Sequence, residues 1–288
     1  MKIALGTVQF GLDYGISNQC GKVTFDEVQK ILNFAKKHNI NYLDTAMGYG
    51  VSEKVIGLYL NNNNNKKFEI ITKIPDVEQS TISINNMLKQ ALVRLSCDRI
   101  YALLLHTPTN INKKTYEQLL KLKEQGKIKK LGVSIYSPEQ AFFIANKFNI
   151  DLIQLPLNIF DQRFIESGCL TFLKEKGIEI HTRSLFLQGL LLQPLNEINP
   201  YFQPHLTTLK KFNQFCLSHK LSALDVAMSL VHSVEDVDKF VIGVCSKQQL
   251  REILKSYDKT ADIKLDIKEL LSTEESLINP SLWKIEKK

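Results

Sequence analysis

Eight short apolar runs recur along the chain, each followed by a segment of helical period, and this alternation leaves few folds open. The runs are "IALGT" (3–7), "NYLDTA" (41–46), "FEIITKI" (68–74), "IYALLLHT" (100–107), "KLGVSIY" (130–136), "DLIQLPL" (151–157), "GIEIHTRS" (177–184) and "KFVIGV" (239–244). Helices are expected near 24–39, 52–60, 81–96, 113–126, 138–148, 166–176, 205–219, 222–234 and 246–256. Thr24 followed three residues on by Glu27 reads as a capping box for the first of them. Several strands are nearly continuous apolar runs, as strands covered on both faces are. Eight such units in 288 residues predict an α/β fold of one domain, a (β/α)₈ TIM barrel. An open dinucleotide-binding sheet would carry GxGxxG after a strand, and the chain has neither that motif nor GxxxxGK[ST]. The barrel is expected over 1–258, with 259–288 a charged tail whose single tryptophan, Trp283, docks on the barrel. The run "NNNNN" (61–65) reads as a tolerated loop.

Composition narrows the function classes. The formal net charge of +7 suits an anionic ligand, but the lysines are scattered over helix faces rather than clustered with aromatics, which argues against nucleic acid. No apolar run approaches the roughly 18 residues of a membrane span. "MKIALGTVQFG" reads as a first strand rather than a signal peptide. Five widely spaced cysteines without CxxC predict no disulfide framework or zinc site, and a reducing cytoplasm. A monomer or small homo-oligomer is expected.

Barrels of this kind build their sites at the C-terminal ends of the strands. There the second run ends on Asp44, with Tyr49 in the loop that follows; the third contains Lys73; the fourth ends on His106. Singly, each has a structural reading: a turn-forming aspartate, a packing tyrosine, a snorkelling lysine, a core histidine. Together at three consecutive strand ends they read as a site. A buried lysine needs a counter-charge, which Asp44 supplies. An ammonium beside a phenol favours the phenolate, so Lys73 makes Tyr49 a better proton donor. His106 is placed to orient a carbonyl oxygen. The set has no metal ligands and no evident nucleophile beyond Lys73, for which a Schiff-base role is the competing chemistry. An acid of this kind needs a source of electrons for carbon.

These residues sit in motifs that resemble the aldo-keto reductases over nearly the whole chain. "LGTVQFG" is similar to the first-strand region of that family, and "YLDTAMGYGVSEKVIG" to its DTAxxYGxSE signature. "IITKI" and "LLLHTP" match its lysine and histidine strands; "KLGVSIYS", "IQLPLNIFDQ" and "VIGVCSKQQL" match three later stretches. The resemblance implies a barrel that binds NAD(P)H across the strand ends. It also implies catalysis by Asp44, Tyr49, Lys73 and His106, with Tyr49 protonating a carbonyl oxygen as hydride reaches its carbon. A slow or non-catalytic, cofactor-binding regulatory protein of the same fold is the alternative.

Carried over position by position, the cofactor contacts are Gly6, Thr7 and Asp44 at the nicotinamide end, with Ser134, Gln154 and Asn158 around the carboxamide. Arg183, Ser184, Leu187 and Gly189 fall in the loop after the seventh strand, and Gly243, Val244, Ser246, Lys247, Gln249 and Arg251 at the start of the last helix. Ile135 replaces a frequent asparagine, and Arg183 stands near the place of a stacking ring. Lys247 and Arg251 make NADP(H) the favoured cofactor over NAD(H). The short connection after His106 suggests an open, polar pocket and a small-molecule carbonyl substrate, with sugar-derived carbonyls as the analogy.

Overall fold

The computed structural model describes residues 1–62, 68–76 and 82–285. Each apolar run contributes one strand: β1 (Ile3–Gly6), β2 (Tyr42–Asp44), β3 (Glu69–Ile74), β4 (Ile100–Leu105), β5 (Ile128–Ser134), β6 (Leu152–Pro156), β7 (Glu179–Arg183) and β8 (Lys239–Gly243). They pair in parallel, in chain order, and β8 returns to β1 to close the barrel. Closure removes both sheet edges, which is why runs such as β4 bury every residue. The fold is the predicted (β/α)₈ barrel.

The helices are α1 (Val8–Gly11), α2 (Phe25–Lys37), α3 (Ser52–Asn62), α4 (Ile84–Leu95), α5 (Lys113–Glu124) and α6 (Pro138–Lys147), then α7 (Arg163–Glu166), α8 (Cys169–Glu175), α9 (Leu206–Ser218), α10 (Ala223–Ser233), α11 (Lys247–Lys259) and α12 (Glu275–Ile278). The helix expected at 166–176 is instead two short ones, because Gly168 adopts a left-handed conformation (φ 69°) between them. The first two asparagines of the "NNNNN" run continue α3; 63–65 lie outside the described residues, as does position 81 of the helix expected at 81–96.

The capping box also resolves differently. Thr24 accepts from the Glu27 N–H at 3.4 Å, but the Glu27 carboxylate does not return to Thr24; it accepts the backbone N–H of Lys247 at 2.8 Å. That bond holds Glu27 below the usual carboxylate range. It ties α2 to the start of α11 across the β8–β1 seam.

Inside the barrel, Ile71, Ala102, Leu104 and Leu152 pack with Tyr101 and Tyr42. Below them the Glu179 carboxylate takes bonds from Tyr101 and His181 at 2.6 Å each and from Lys130. This plugs the N-terminal end with an ionic group centred on Glu179, although His181 Nδ1 is buried there without a partner. Past α11, Leu270, Leu277 and Ile278 are buried against the body of the protein. Trp283 meets the ring of Phe202 edge-on at 4.9 Å. No helix among the described residues is long and apolar enough to cross a membrane.

Candidate active site

Strand register places the site. Gly6 lies level with both Asp44 and Gly243, so β1, β2 and β8 end in one layer at the C-terminal mouth. Asp44 pairs with Ile71, and the two-residue repeat of β3 puts Lys73 on the same inward face as Ile71. The Lys73 ammonium donates to Asp44 Oδ1 at 2.5 Å and to the Thr45 carbonyl at 3.0 Å. It lies 5.2 Å from the Tyr49 ring centroid. Burial works against this ammonium, but the Asp44 carboxylate and the contact with Tyr49 outweigh it and hold Lys73 above the ordinary lysine range. The other Asp44 oxygen accepts from Gln154 Nε2 at 2.8 Å.

Tyr49 is presented by a tight turn. Gly50 has φ +55°, and a Cβ there would lie 2.6 Å from the Gly11 carbonyl oxygen, so only glycine fits without displacement. The base of the turn is fixed as well: Thr7 donates its N–H and Oγ1 to the Asp44 carbonyl at 2.9 and 3.0 Å, and Ser52 Oγ donates to the Thr7 carbonyl at 2.8 Å. His106 follows β4 and stands edge-on to Tyr49 with ring centroids 6.0 Å apart. Burial, with the Lys73 charge added, pushes His106 down to about 4, so the ring is neutral at pH 7.

Asp44, Tyr49 and His106 open on a cavity of about 790 Å³. It runs from Asp44, Tyr49 and His106 across Gly6, Thr7 and Gln154 to Gly243, Val244, Gln249 and Glu252. Its volume lies in the roughly 300–1,000 Å³ range of small-molecule sites. Arg183, Ser184 and Gly189 form another wall. The β7 loop is strained, with left-handed φ at the non-glycine residues Ser184, Leu187 and Gln188, a feature that concentrates at functional sites. It meets a strap from the β1 loop: Ser17 Oγ donates to the Gln188 carbonyl at 3.3 Å, and a Cβ at Gly189 would fall 1.8 Å from that hydroxyl.

Seven of the residues singled out in the sequence do not line the cavity: Lys73, which is sealed behind Asp44, and Ser134, Asn158, Leu187, Ser246, Lys247 and Arg251. Asn158 Oδ1 instead accepts from the Phe160 and Asp161 N–H groups at 2.9 and 3.0 Å. Ser246 caps α11 by accepting from the Gln249 N–H at 3.1 Å. Lys247 and Arg251 rest over the Phe34 ring, 5.7 and 5.8 Å from its centroid. Other lining residues carried no sequence signal of their own: Tyr14, Cys20, Tyr136 and, from beyond the barrel, Pro280 and Ser281. Only the glycine in "DYGISN" hinted at a looping strap; it is Gly15, with φ +102°.

An elongated dinucleotide fits this donor set. Gln9 Oε1 is buried beside the cavity without a partner, and the β1 and β8 strand ends present glycines, Gly6 and Gly243, to it. At the far end the Glu27 carboxylate already holds one N–H of the α11 N-terminus.

Known proteins share this sequence pattern and fold. The model of the Aldo/keto reductase family matches residues 2–272. The chain is 27% identical over 268 residues to the uncharacterized oxidoreductase YqkF of Bacillus subtilis, covering 84% of this chain and 86% of the relative. Among solved structures, an aldo-keto reductase of Bacillus halodurans in its holo form superposes with a TM-score of 0.75 at 22% identity, covering 96% of this chain and 95% of that one. A glycerol dehydrogenase of Gluconobacter oxydans superposes with a TM-score of 0.64 at 23% identity, covering 92% and 94%. With its closed parallel barrel and the family match running almost from end to end, the chain belongs to the aldo/keto reductase family.

Proposed function

We propose that the protein reduces an aldehyde or ketone to the alcohol with NAD(P)H, with Tyr49 as general acid. The observation that carries this reading is the sealed Asp44–Lys73 pair set against the Tyr49 ring, beside a neutral His106 at the mouth of the cavity. The nicotinamide cofactor, when bound, supplies hydride to the carbonyl carbon. The chain's own residues handle the oxygen. Neutral His106 donates an N–H to it and fixes its direction, and the Tyr49 hydroxyl delivers the proton. Lys73, kept charged by Asp44, stabilises the phenolate that remains. Gln154, held on Asp44, and Thr7 line the nicotinamide end.

NADP(H) is the proposed cofactor over NAD(H), on the charges of Lys247 and Arg251 close to the α11 N-terminus. Glu27 opposes it, because a 2′-phosphate and that carboxylate compete for one N–H. Sugar-derived and other polar carbonyls suit a cavity walled by Tyr14, Tyr136, His106 and Arg183.

The test is single-turnover oxidation of bound NADPH by a panel of aldehydes and ketoses. Tyr49→Phe is expected to bind NADPH nearly as the wild type does and to lose reduction by about 10²-fold or more. Comparable turnover in that variant would reject Tyr49 as the acid. Cofactor that survives every carbonyl offered would move the reading to a cofactor-binding regulator.

A further inference from the structure

At the cavity mouth the Lys73 charge is matched by Asp44, but a second cation, Arg183, is not matched. Among the described residues, the arginines in ion pairs are Arg94, with Glu53, and Arg163, with Asp161 and Glu275. Arg183 has no such partner. Its guanidinium carbon lies 4.6 Å from the Tyr136 ring centroid. Nη2 donates to the Ile135 carbonyl at 3.2 Å, and Nη1 makes a long 3.4 Å contact with Ser184 Oγ. Stacked and tethered in this way, the fork is held in place while most of its N–H groups remain uncommitted.

Its position is the catalytic end of the cavity. Arg183 closes β7 level with Pro156, and its charge bears on both His106 and Tyr14. Burial pushes the Tyr14 phenol up to about 12 against that pull, so it stands nearby as a neutral phenol. A half-buried guanidinium without a counter-ion, beside a neutral imidazole and neutral phenol, is a receptor for an oxyanion.

We propose that Arg183 recognises an anionic group on the substrate, so that the natural substrate is a carbonyl compound bearing a carboxylate or phosphate a few bonds from the reducible carbon. This rests on the reductase reading above for its chemistry, and on Arg183 alone for its specificity.

The experiment compares matched substrates with NADPH: succinic semialdehyde against butanal, and glyceraldehyde phosphate against glyceraldehyde. At least one anionic member is expected to exceed its neutral partner in kcat/KM by about tenfold or more, chiefly through KM, as charge-assisted hydrogen bonds do. The pair that discriminates tells carboxylate from phosphate. Arg183→Leu should bring that ratio close to one, and Arg183→Lys should keep part of it. A second readout needs no turnover: γ-hydroxybutyrate, butanol and glycerol phosphate are titrated into the NADPH complex and followed by cofactor fluorescence. Anion binding that Arg183→Leu removes is expected there. Equal reduction of both members of each pair, or a preference that survives Arg183→Leu, overturns the assignment and leaves the reductase reading standing. Arg183-dependent anion binding without reduction of any carbonyl does the reverse. No reduction and no anion binding reject both.

Discussion

The Lys73 ammonium donates to Asp44 Oδ1 at 2.5 Å, and the two side chains are almost sealed from solvent, at 1% and 5% exposure. A pair so placed is costly to break from one side. Lys73→Met leaves an uncompensated carboxylate and should destabilise the fold by about 3–5 kcal/mol, and Asp44→Asn should cost a similar amount. The double variant Asp44→Asn/Lys73→Met should recover much of that stability but none of the reductase activity. Urea unfolding midpoints beside turnover assays check this: recovered stability with recovered activity would contradict a role for the charge in catalysis.

His106 sets a pH dependence whose sign is fixed. Its folded value, about 4, lies below the ordinary 6.5, with burial as the first cause. Between those values the unfolded chain binds a proton that the folded protein refuses. The stability contribution is therefore full above about pH 6.5 and declines as pH falls towards 4. Thermal unfolding from pH 4 to 7 should show a steeper loss of Tm in the wild type than in His106→Gln. Parallel curves would mean that His106 titrates normally.

Glu27 caps α11 through the Lys247 N–H. Glu27→Gln removes a negative charge from the place where a 2′-phosphate would contact the helix N-terminus. Affinity for NADPH relative to NADH should rise about two- to fivefold, on the ~0.3–1 kcal/mol scale of a charge at a helix end. Fluorescence titration with both cofactors measures it, and an unchanged ratio would place the 2′-position elsewhere.

Gly50 holds a left-handed φ of +55° against the Gly11 carbonyl. Gly50→Ala should lower stability by about 1–3 kcal/mol or more, because strain and a close backbone contact add. Activity should fall with it, since Tyr49 is the preceding residue and shares the turn. Calorimetry together with kcat tests the coupling; full activity in a destabilised protein would separate the two.

Much of the site could be anticipated from the chain because strand period and strand ends are local properties. Asp44 and Lys73 stand out as charges within apolar runs, and the inward face of β3 brings them together as expected. The capping box shows the limit of such reasoning. Thr24 behaves as its sequence predicts, yet the Glu27 carboxylate leaves its own helix for a donor 220 positions away. Lys247 and Arg251, suited by sequence to a phosphate, rest instead over Phe34 on α2.

By itself the sequence determined the barrel and the cluster at its mouth: eight apolar periods force eight covered strands, and polar residues at strand ends have only the mouth to face. Tertiary structure decided the rest. Strap against β7 loop, Arg183 on Tyr136, Glu27 on α11 and Pro280 with Ser281 at the cavity wall all join segments distant in the chain. Such contacts leave no periodic trace in sequence, because they are set by where the closing barrel brings its loops rather than by the preference of any one segment.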